Sequence, residues 1–493
     1  MKLKAFLLVA MLVLAAISIT GSVTRLQNST DLAERIKRVE NNLLSPVAIK
    51  GKATAMKLAD RMAYYKVPGV SVAVINNGAI EWARGYGVRE AGTKNPVTEE
   101  TLFQAASISK PVAAMGALRL VADGKLDLDE DVNKKLTSWK VPENEFTKEQ
   151  KVTLRRLLSH TAGMTVHGFR GYATDEPVPT ILQLLNGEKP ANSAAVRVDV
   201  VPGSLWRYSG GGISVAQLLM TDVTSKQFPQ FMQEAVLSKI GMTHSTYQQP
   251  LPKELLEKAA AGHRESGEVI KGHRHTYPEM AAAGLWTTPS DLARFAIEIQ
   301  KSRAGKSNKV LSTEIINQML TVQKGDYGLG IGIGGAGKTL TFAHGGSNEG
   351  FRCMLFAYAE TGQGAVVMTN GDTGSQLADE ILHSIAREYG WPDYQVRERE
   401  VAQVNPLIYQ SYVGKYQVLG ADVTLTTENG HLYIQAPPFG AEKVELYPES
   451  ETKYFILLDE ATFTFVKDEK GQVVELMIQV PGNRPPIKGK KVN

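Results

Sequence analysis

Ser107 and Lys110 have the residue types and the spacing needed for nucleophilic acyl transfer. They lie in the segment Ser-Ile-Ser-Lys, and three residues along a helix place both side chains on one face, about 5–6 Å apart. A serine hydroxyl attacks a carbonyl only when a base removes its proton, and a desolvated lysine with a labile proton can assist that transfer. Several Ser-x-x-Lys matches are expected by chance in a chain of 493 residues, so the pair alone indicates little.

Tyr208 is a second candidate, in the segment Trp-Arg-Tyr-Ser-Gly-Gly-Gly that ends at Gly212. Three glycines allow the backbone to approach another segment closely, so the tyrosine could meet the serine from a distant part of the chain. A phenolate is stabilised beside a lysine ammonium and can act as a general base. A core tyrosine next to a turn is the alternative interpretation.

His344, Gly345, Gly346 and Ser347 form a third candidate segment after a strand-like run. Glycines here would leave strand N–H groups open to a substrate carbonyl. One half of an oxyanion hole would come from this strand, and the other half from the N–H of Ser107 at its helix N-terminus. For an isolated His-Gly-Gly, a simple turn is the alternative.

The elements that position these segments predict an α+β fold. A helix begins near Ser107 and stops at Asp123-Gly124, and a hairpin precedes it with strands on either side of Asn76-Asn77-Gly78. Helical patterns dominate residues 29–65 and 129–302. The pattern predicts an antiparallel sheet flanked by helices and split by an all-helical insertion. Later strands are predicted at residues 327–333, 340–343, 352–358 and 365–368, followed by a helix at residues 375–388.

The chain divides by composition into five predicted segments. Residues from 406 onward alternate apolar and polar side chains around short turns, which is typical of a small all-β domain with a barrel-like form. The predicted boundaries are a signal peptide or anchor at 1–22, a helical extension at 23–50, a catalytic domain at 51–392, a charged linker at 393–405 and the β domain at 406–493.

The N-terminus has the layout of a secretory signal. Lys2 and Lys4 precede an apolar run from Ala5 to Ile19, followed by small or polar residues. We therefore expect export to the periplasm or the medium. Because the end of the run matches the cleavage pattern poorly, an uncleaved anchor that attaches the protein to the membrane is the alternative. A net charge of +4 without a basic run argues against a nucleic-acid partner.

The order of the three motifs, together with the phrases around them, resembles the serine β-lactamase and penicillin-binding-protein superfamily. The resemblance covers about residues 55–389 and is strongest to the branch with class C β-lactamases, D-Ala-D-Ala carboxypeptidases, D-aminopeptidases and esterases. It implies that Ser107 is acylated, that Lys110 activates it, and that Tyr208 is base and then acid. Ser347 would give the second oxyanion N–H. The phrases are Gln-Ala-Ala-Ser at 104–107, Leu-Ser-His-Thr-Ala-Gly at 158–163 and Ala-Ala-Gly-Leu-Trp-Thr-Thr at 282–288.

Two positions depart from the family pattern and change the expected substrate. Gly210 stands where the second motif commonly has asparagine, and His344 stands where many β-lactamases have lysine. His344 would hold a substrate carboxylate or only polarise the pocket. We expect a serine hydrolase for small amides, D-amino-acid peptides such as cell-wall peptides, or esters, with no cofactor or metal. A β-lactamase and a non-turnover penicillin or peptidoglycan receptor are the alternatives.

The C-terminal segment resembles the lipocalin-like β domain that accompanies some of these peptidases. In that group the domain can restrict the size of substrates that reach the cleft. An independent barrel that binds a ligand or the cell wall is the alternative.

Several other patterns are interpreted as structural. Residues 332–339 match the phosphate-loop pattern, but no helix can start at Lys338, so a glycine-rich hairpin and no nucleotide partner are expected. His160 is interpreted as structural and Cys353 as a core residue. Three histidines are interpreted as surface residues without a metal: His263, His273 and His275.

Overall fold

A computed structural model describes residues 30–52, 55–437, 443–480 and 485–492. The predicted signal or anchor at 1–22 lies outside these residues, and so does the start of the predicted extension. Among the helices that are described, none combines the length and the apolar character needed to cross a membrane.

The helices range from single turns to the 16-residue helix at Gly374–Tyr389. A π-helical turn at Gln233–Leu237 joins the seventh and eighth of them. In chain order the helices are residues 30–41 (α1), Leu58–Tyr64 (α2), Ser109–Ala122 (α3), Leu154–Leu158 (α4), Ile181–Asn186 (α5), Gly210–Thr224 (α6), Phe228–Met232 (α7), Ser238–Ile240 (α8), Met280–Ala283 (α9), Pro289–Arg303 (α10), Thr313–Met319 (α11), Gly374–Tyr389 (α12) and Tyr409–Tyr412 (α13).

The strands fall into one group before α12 and a second group after it. In chain order they are Val47–Ile49 (β1), Gly69–Asn76 (β2), Ala79–Gly87 (β3), Phe103–Gln104 (β4), Trp286–Thr287 (β5), Gly332–Gly334 (β6), Thr341–Asn348 (β7), Phe351–Tyr358 (β8), Gly364–Thr369 (β9), Arg397–Arg399 (β10), Gly414–Val418 (β11), Ala421–Glu428 (β12), His431–Gln435 (β13), Val444–Pro448 (β14), Lys453–Phe455 (β15), Thr462–Lys467 (β16), Val473–Gln479 (β17) and Ile487–Val492 (β18).

The chain divides into two compact units, one formed by residues 62–378 and the other by the described parts of 1–61 and 379–493. The first unit contains a six-stranded sheet in the order β3-β2-β9-β8-β7-β6, in which every neighbouring pair is antiparallel. The helical segments from α4 to α11 fall between the strands β4 and β6 in sequence. The predicted α+β class, with a sheet split by a helical insertion, is confirmed.

The hairpin of β2 and β3 forms because its two turn residues accept left-handed backbone angles. Asn77 has φ of 52° and Gly78 has φ of 69°, and Asn76 pairs directly with Ala79 across the turn. A two-residue turn with both φ angles positive matches the right-handed twist of the strands, which is why asparagine and glycine are favoured there. The predicted hairpin is confirmed.

Two helices lie in the centre of the first unit and carry candidate residues at their N-terminal ends. Nearly every residue of α3, and every residue of α6 from Gly210 to Met220, is buried. A helix that is apolar on all sides is stable only when other elements surround it. Helix α10 packs across β2 and β9, so sheet and helices share one hydrophobic core.

Two predicted elements were wrong. Of residues 327–333 only the end joins a strand, because Gly330 has φ of 85° and the amide of Gly328 bonds to the carbonyl of Ile331 in a turn. The helical pattern of residues 29–65 is interrupted by β1, which begins after Pro46 and pairs in parallel with β10 in the predicted linker. Proline disfavours helix in the residue before it and lacks the N–H that a helix needs.

The glycine-rich segment with the phosphate-loop pattern forms a β-hairpin, as predicted. Strand β6 leads into a single 3-10 turn at Gly337–Thr339, and β7 starts at Thr341. A phosphate loop needs a helix whose N-terminal amides point at the phosphates. A strand follows Lys338 instead.

The second unit contains a closed antiparallel barrel of the eight strands β11 to β18. Strand β11 pairs with both β12 and β18, which closes the sheet and removes exposed edges. Tyr412 and Phe465 stack inside it with ring centroids 4.0 Å apart. The predicted small all-β barrel is confirmed.

We expect Phe465→Ala to lower the stability of the barrel by about 3–5 kcal/mol, because it removes a buried ring and leaves a cavity. Leu407→Ala is the control, since Leu407 is 82% exposed, and it should change stability by less than about 0.5 kcal/mol. Hydrogen exchange of barrel amides in the full chain, measured in increasing urea, gives both values. Equal effects of the two substitutions would contradict a core role for the stack.

Candidate active site

A strained turn holds Ser107 at the start of α3. The amide of Ala105 bonds to the carbonyl of Leu285 at 2.8 Å, next to the short pairing of β4 with β5. Ala106 has φ of 48°, a left-handed angle that is uncommon for a residue with a Cβ, and a 3-10 turn at Ala106–Ile108 precedes the helix. Strain of this kind persists only where surrounding contacts enforce it. Ser107 is therefore presented at a helix N-terminus on a fixed backbone.

Lys110 is buried and points at Ser107. Its Nζ atom donates to Ser107 Oγ at 2.9 Å and to the carbonyl of Ala282 at 2.7 Å, and the side chain is only 3% exposed. The same nitrogen lies 4.9 Å from the centroid of the Tyr208 ring. Pro111 falls at the third position of α3, where the missing N–H has no intrahelical partner in any case. The structure thus brings together Ser107, Lys110 and Tyr208, three of the predicted site residues.

Tyr208 is placed by the N-terminus of α6. The next residue, Ser209, caps the helix: its Oγ accepts from the amide of Gly212 at 2.9 Å and donates to the carbonyl of Thr165 at 2.7 Å. A serine cap satisfies an amide that the first turn leaves open and fixes where the helix begins. The cap therefore fixes the backbone of Tyr208, which is half-buried.

The glycines after Tyr208 allow a loop to pack directly on the helix. A Cβ on Gly210 would lie 2.9 Å from Cε2 of Phe169 and 3.2 Å from the carbonyl oxygen of His167. A Cβ on Gly211 would lie 2.7 Å from the carbonyl oxygen of Thr165. The loop of residues 167–169 therefore restricts the room for a longer side chain at position 210.

His160 packs against the ring of Tyr208, which the sequence did not indicate. The two ring centroids are 4.3 Å apart, and Nδ1 accepts from the amide of Ser209 at 3.2 Å. Among the described residues, Nε2 has no hydrogen-bond partner. Burial, and after it the charge of Lys110, hold the pKa of His160 well below its ordinary value. A neutral imidazole thus fixes one face of Tyr208.

The edge of β7 beyond His344 is open in the part of the chain that is described. Strand β6 pairs only with residues 341–343. Hydrogen-bonded pairs alternate along an antiparallel ladder, starting from Asn348 and Phe351, which flank a two-residue turn. The backbone groups of Ser347 and Gly345 therefore point away from β8, towards the open edge. An N–H there can meet a substrate oxygen, as the sequence predicts for Ser347.

Gly346 allows β7 to approach the turn that carries Ser107. A Cβ on Gly346 would lie 2.3 Å from the carbonyl oxygen of Ala105 and 2.8 Å from Sγ of Cys353. Only glycine permits this approach. Cys353 is buried, as predicted, beneath both segments.

His344 is neutral and has both ring nitrogens occupied. Nδ1 donates to the carbonyl of Gly345 at 2.6 Å, and Nε2 lies 3.0 Å from the hydroxyl of Tyr327. Burial, and after it the charge of Lys110, lower the pKa of His344 to about 3. Of the two roles expected for His344, a cation for a substrate carboxylate is disfavoured by this arrangement.

Two of the three histidines interpreted as surface residues are buried, so that prediction was wrong for them. His263 is fully buried, with Nδ1 bonded to the carbonyl of Asn370 at 2.7 Å and Nε2 accepting from the amide of Ala91 at 3.0 Å. His275 is buried, and His273 is the exposed one. Side-chain hydrogen bonds to backbone explain the burial. No cluster of histidine, cysteine and acidic side chains in the described residues could hold a metal.

Sequence reasoning missed three groups that surround the site: the ring of His160, the hydroxyl of Tyr327 and the carbonyl of Ala282. The phrases containing His160 and Ala282 were recognised, but no signal in the sequence marks Tyr327. With Ser107, Lys110, Tyr208 and the open edge of β7, these groups bring together a hydroxyl, an ammonium, two phenols and strand amides. Such a set can carry out acyl transfer without a metal ion.

Two known families match this chain, in consecutive ranges of the sequence. The Beta-lactamase family matches residues 55–388. A second family, a domain of unknown function called DUF3471, matches residues 398–492, the range that contains the barrel.

Individual proteins are similar to this chain over about two thirds or more of its length. Penicillin-binding protein 4* of Bacillus subtilis is 24% identical over 440 residues, which are 81% of this chain and 90% of that protein. An octameric penicillin-binding protein homologue from Pyrococcus abyssi aligns with a TM-score of 0.59 and 21% identity over 88% of this chain and 98% of its own. D-alanine carboxypeptidase AmpC from Burkholderia cenocepacia aligns with a TM-score of 0.52 and 21% identity over 66% of this chain and 96% of its own. At these identities the solved structures show a shared fold.

We expect Gly210→Ala to lower the free energy of unfolding by about 1–3 kcal/mol, since its methyl group would overlap the ring of Phe169. Gly168→Ala is the matched control in the neighbouring loop, because a Cβ there meets nothing within 4 Å. Thermal and urea unfolding measure the free energy of unfolding of both variants. If Gly210→Ala were as harmless as Gly168→Ala, the close packing of the loop on α6 would be disproved.

His344 should make stability depend on pH below neutrality. Its pKa is lowered from 6.5 to about 3 in the folded chain, so the unfolded chain binds an extra proton between these values. Stability is fully present above pH 6.5 and is lost as the pH falls towards 3, at up to about 1.4 kcal/mol per pH unit. His344→Gln should make this slope shallower but not abolish it, because the pKa of buried His160 is also lowered. Urea unfolding from pH 7 to pH 4 measures the slope. An unchanged slope in His344→Gln would refute the assignment of the lowered pKa to His344.

Proposed function

Because the chain belongs to the Beta-lactamase family, we propose that it is a serine hydrolase that forms an acyl-enzyme on Ser107. Its proposed substrates are small amides, D-amino-acid peptides or esters. The names of its relatives, a penicillin-binding protein and a D-alanine carboxypeptidase, support the cell-wall peptide as a candidate substrate class.

The observation that carries this proposal is the geometry of Lys110. Its buried Nζ donates at once to Ser107 Oγ and to the carbonyl of Ala282, and it lies against the ring of Tyr208. An ammonium group has three N–H donors, so one remains for the phenol oxygen of Tyr208. A lysine with only a structural role could satisfy its N–H groups with buried carbonyls, and it would not need contact with a half-exposed serine.

In the proposed first step, Ser107 Oγ forms a bond to the substrate carbonyl carbon while its proton passes to Tyr208. Lys110 stabilises the phenolate of Tyr208 before the transfer. The carbonyl electrons move to the oxygen, which accepts from the N–H groups of Ser107 and Ser347. The carbon–leaving group bond then breaks, and the leaving group takes the proton from Tyr208.

In the second step, Tyr208 accepts a proton from water, and the hydroxide formed attacks the ester on Ser107. Breaking that ester returns the proton to Ser107 and releases the acid. The crowding at Gly210 favours a peptidase or esterase over a β-lactamase, because the ring of Phe169 and the carbonyl of His167 restrict the room for an amide side chain at that position. We also propose that the protein is exported, on the basis of the charged and apolar pattern of residues 1–22.

A fluorophosphonate should label the wild-type protein once, at Ser107. Ser107→Ala should lose the label, whereas Ser347→Ala should keep it, because the proposal uses only the backbone N–H of that residue. Intact-mass analysis followed by peptide mapping gives the result. Labelling that persists in Ser107→Ala would overturn the proposal.

Steady turnover distinguishes a hydrolase from a receptor that is acylated once. We expect continuous release of p-nitrophenol from p-nitrophenyl acetate, and a fall in kcat of about 10²–10⁴-fold in Tyr208→Phe and in Lys110→Met. A single burst of one equivalent would instead indicate the receptor, and efficient hydrolysis of nitrocefin would indicate the β-lactamase.

A further inference from the structure

The side chain of His344, in the third motif, presents no hydrogen-bond donor to a substrate. His344 is 8% exposed, and its Nδ1 lies 2.6 Å from the carbonyl oxygen of Gly345. A carbonyl only accepts, so Nδ1 carries the proton of the neutral ring. Nε2, 3.0 Å from Tyr327 Oη, is then left with a lone pair that accepts from the phenol.

Tyr327 is held in place to make this contact. Its ring packs between His160, at 4.9 Å between centroids, and Trp206, at 6.0 Å. It is 6% exposed, and burial above all raises the pKa of its phenol well above the ordinary value. Tyr327 therefore remains a protonated donor, and its hydrogen bond holds His344 in one tautomer.

Protonation of His344 is opposed by its burial and by the positive charge of Lys110. A charged imidazole would also face the phenol of Tyr327, which now donates to Nε2. Burial of a second cation beside an ammonium is costly unless a counter-charge accompanies it.

The cations along β7 and its partner strand are committed to other groups. Arg352, opposite Ser347 in the ladder, donates to the carbonyl of Asn348 at 2.5 Å and forms an ion pair with Asp372 at 3.0 Å. Arg264 is paired with Glu349 just beyond the end of the strand. A carboxylate beside the scissile bond would lose hydration without gaining a cation from these residues.

We infer that Tyr327 and His344 are specificity-determining residues that direct the site to acyl donors without a carboxylate beside the scissile bond, such as neutral esters and amides. The inference rests on the proposed function and narrows its substrate class. Binding of a carboxylate-bearing donor at His344 would require the uptake of a proton from solvent by the imidazole, or the displacement of a ring that is already fully bonded. A neutral donor requires neither.

A matched pair of thioesters tests this inference on the full chain. Benzoylglycyl thioesters of thioglycolic acid and of thioglycolamide differ only in whether the leaving thiol carries a carboxylate. Thiol release, followed with a chromogenic disulfide and divided by the rate of hydroxide hydrolysis for each substrate, gives the relative kcat/KM. Because the thiol is released on acylation, the first turnover is sufficient.

We expect the wild type to favour the carboxamide at least tenfold. His344→Lys should reduce this ratio at least tenfold, because it supplies a cation, whereas His344→Gln, which stays neutral, should retain the preference. Tyr327→Phe should reduce the ratio at least threefold, because Nε2 loses its donor and can take a proton together with a substrate carboxylate. A residue that only supported the fold would slow both substrates equally and leave the ratio unchanged.

A wild-type ratio at or below one overturns the inference, whatever the behaviour of the variants. An unchanged ratio in both Tyr327→Phe and His344→Lys also overturns it, provided that a fluorophosphonate still labels Ser107 in those variants. Failure of the proposed function has a different signature. Thiol release that persists in Ser107→Ala contradicts the acyl-enzyme, and a burst without turnover contradicts only the hydrolase, since the ratio is read from the burst.

Discussion

A buried ammonium must find its acceptors inside the protein, and the arrangement around Lys110 follows from that requirement. Removal of such a cation from water costs several kcal/mol, which neighbouring acceptors have to offset. One acceptor is the hydroxyl of Ser107 and the other is the carbonyl of Ala282, at the C-terminal part of α9. For both to be in reach, α3 must start within one turn of the lysine and α9 must lie against it. The amide of Leu285, which bonds to Ser109 Oγ at 3.0 Å, ties these two segments together.

The same cation determines the state of the imidazoles around it. Both His160 and His344 are buried, and for both the charge of Lys110 is the largest influence on the pKa after burial, lowering it. Each ring is therefore neutral and is fixed by a backbone hydrogen bond, to the amide of Ser209 in one case and to the carbonyl of Gly345 in the other. The site thus concentrates its positive charge on one nitrogen, next to the nucleophile. Because the rings of His160 and His344 are neutral, they can lie near Tyr208 without adding a second positive charge beside Ser107.

The sequence predicted those parts of the structure that local physics determines. The hairpin at Asn77, the helix after Ser107 and the closed barrel follow from turn residues, apolar periodicity and strand alternation, and all three are present. The motif residues could be recognised because their order along the chain is specific. Tyr327 could not be, because its contact with His344 joins residues 17 positions apart through a turn that resembled a strand. The burial of His263 was missed for a similar reason, since its partners are backbone atoms of distant segments.

At both departures from the family pattern, a neighbouring aromatic side chain limits what the position can offer. At Gly210 the ring of Phe169 lies where a longer side chain would begin, and at His344 the phenol of Tyr327 bonds to the imidazole. Under the proposed function, the first restricts the room for an amide partner of a polar acyl group. The second leaves His344 without a charge for a substrate carboxylate. Near the nucleophile the two positions leave aromatic rings and backbone amides, which is the environment that we propose for a neutral acyl group. Under the proposed function, Ser107, Lys110 and Tyr208 supply the chemistry of the site, whereas Gly210, Tyr327 and His344 determine its specificity.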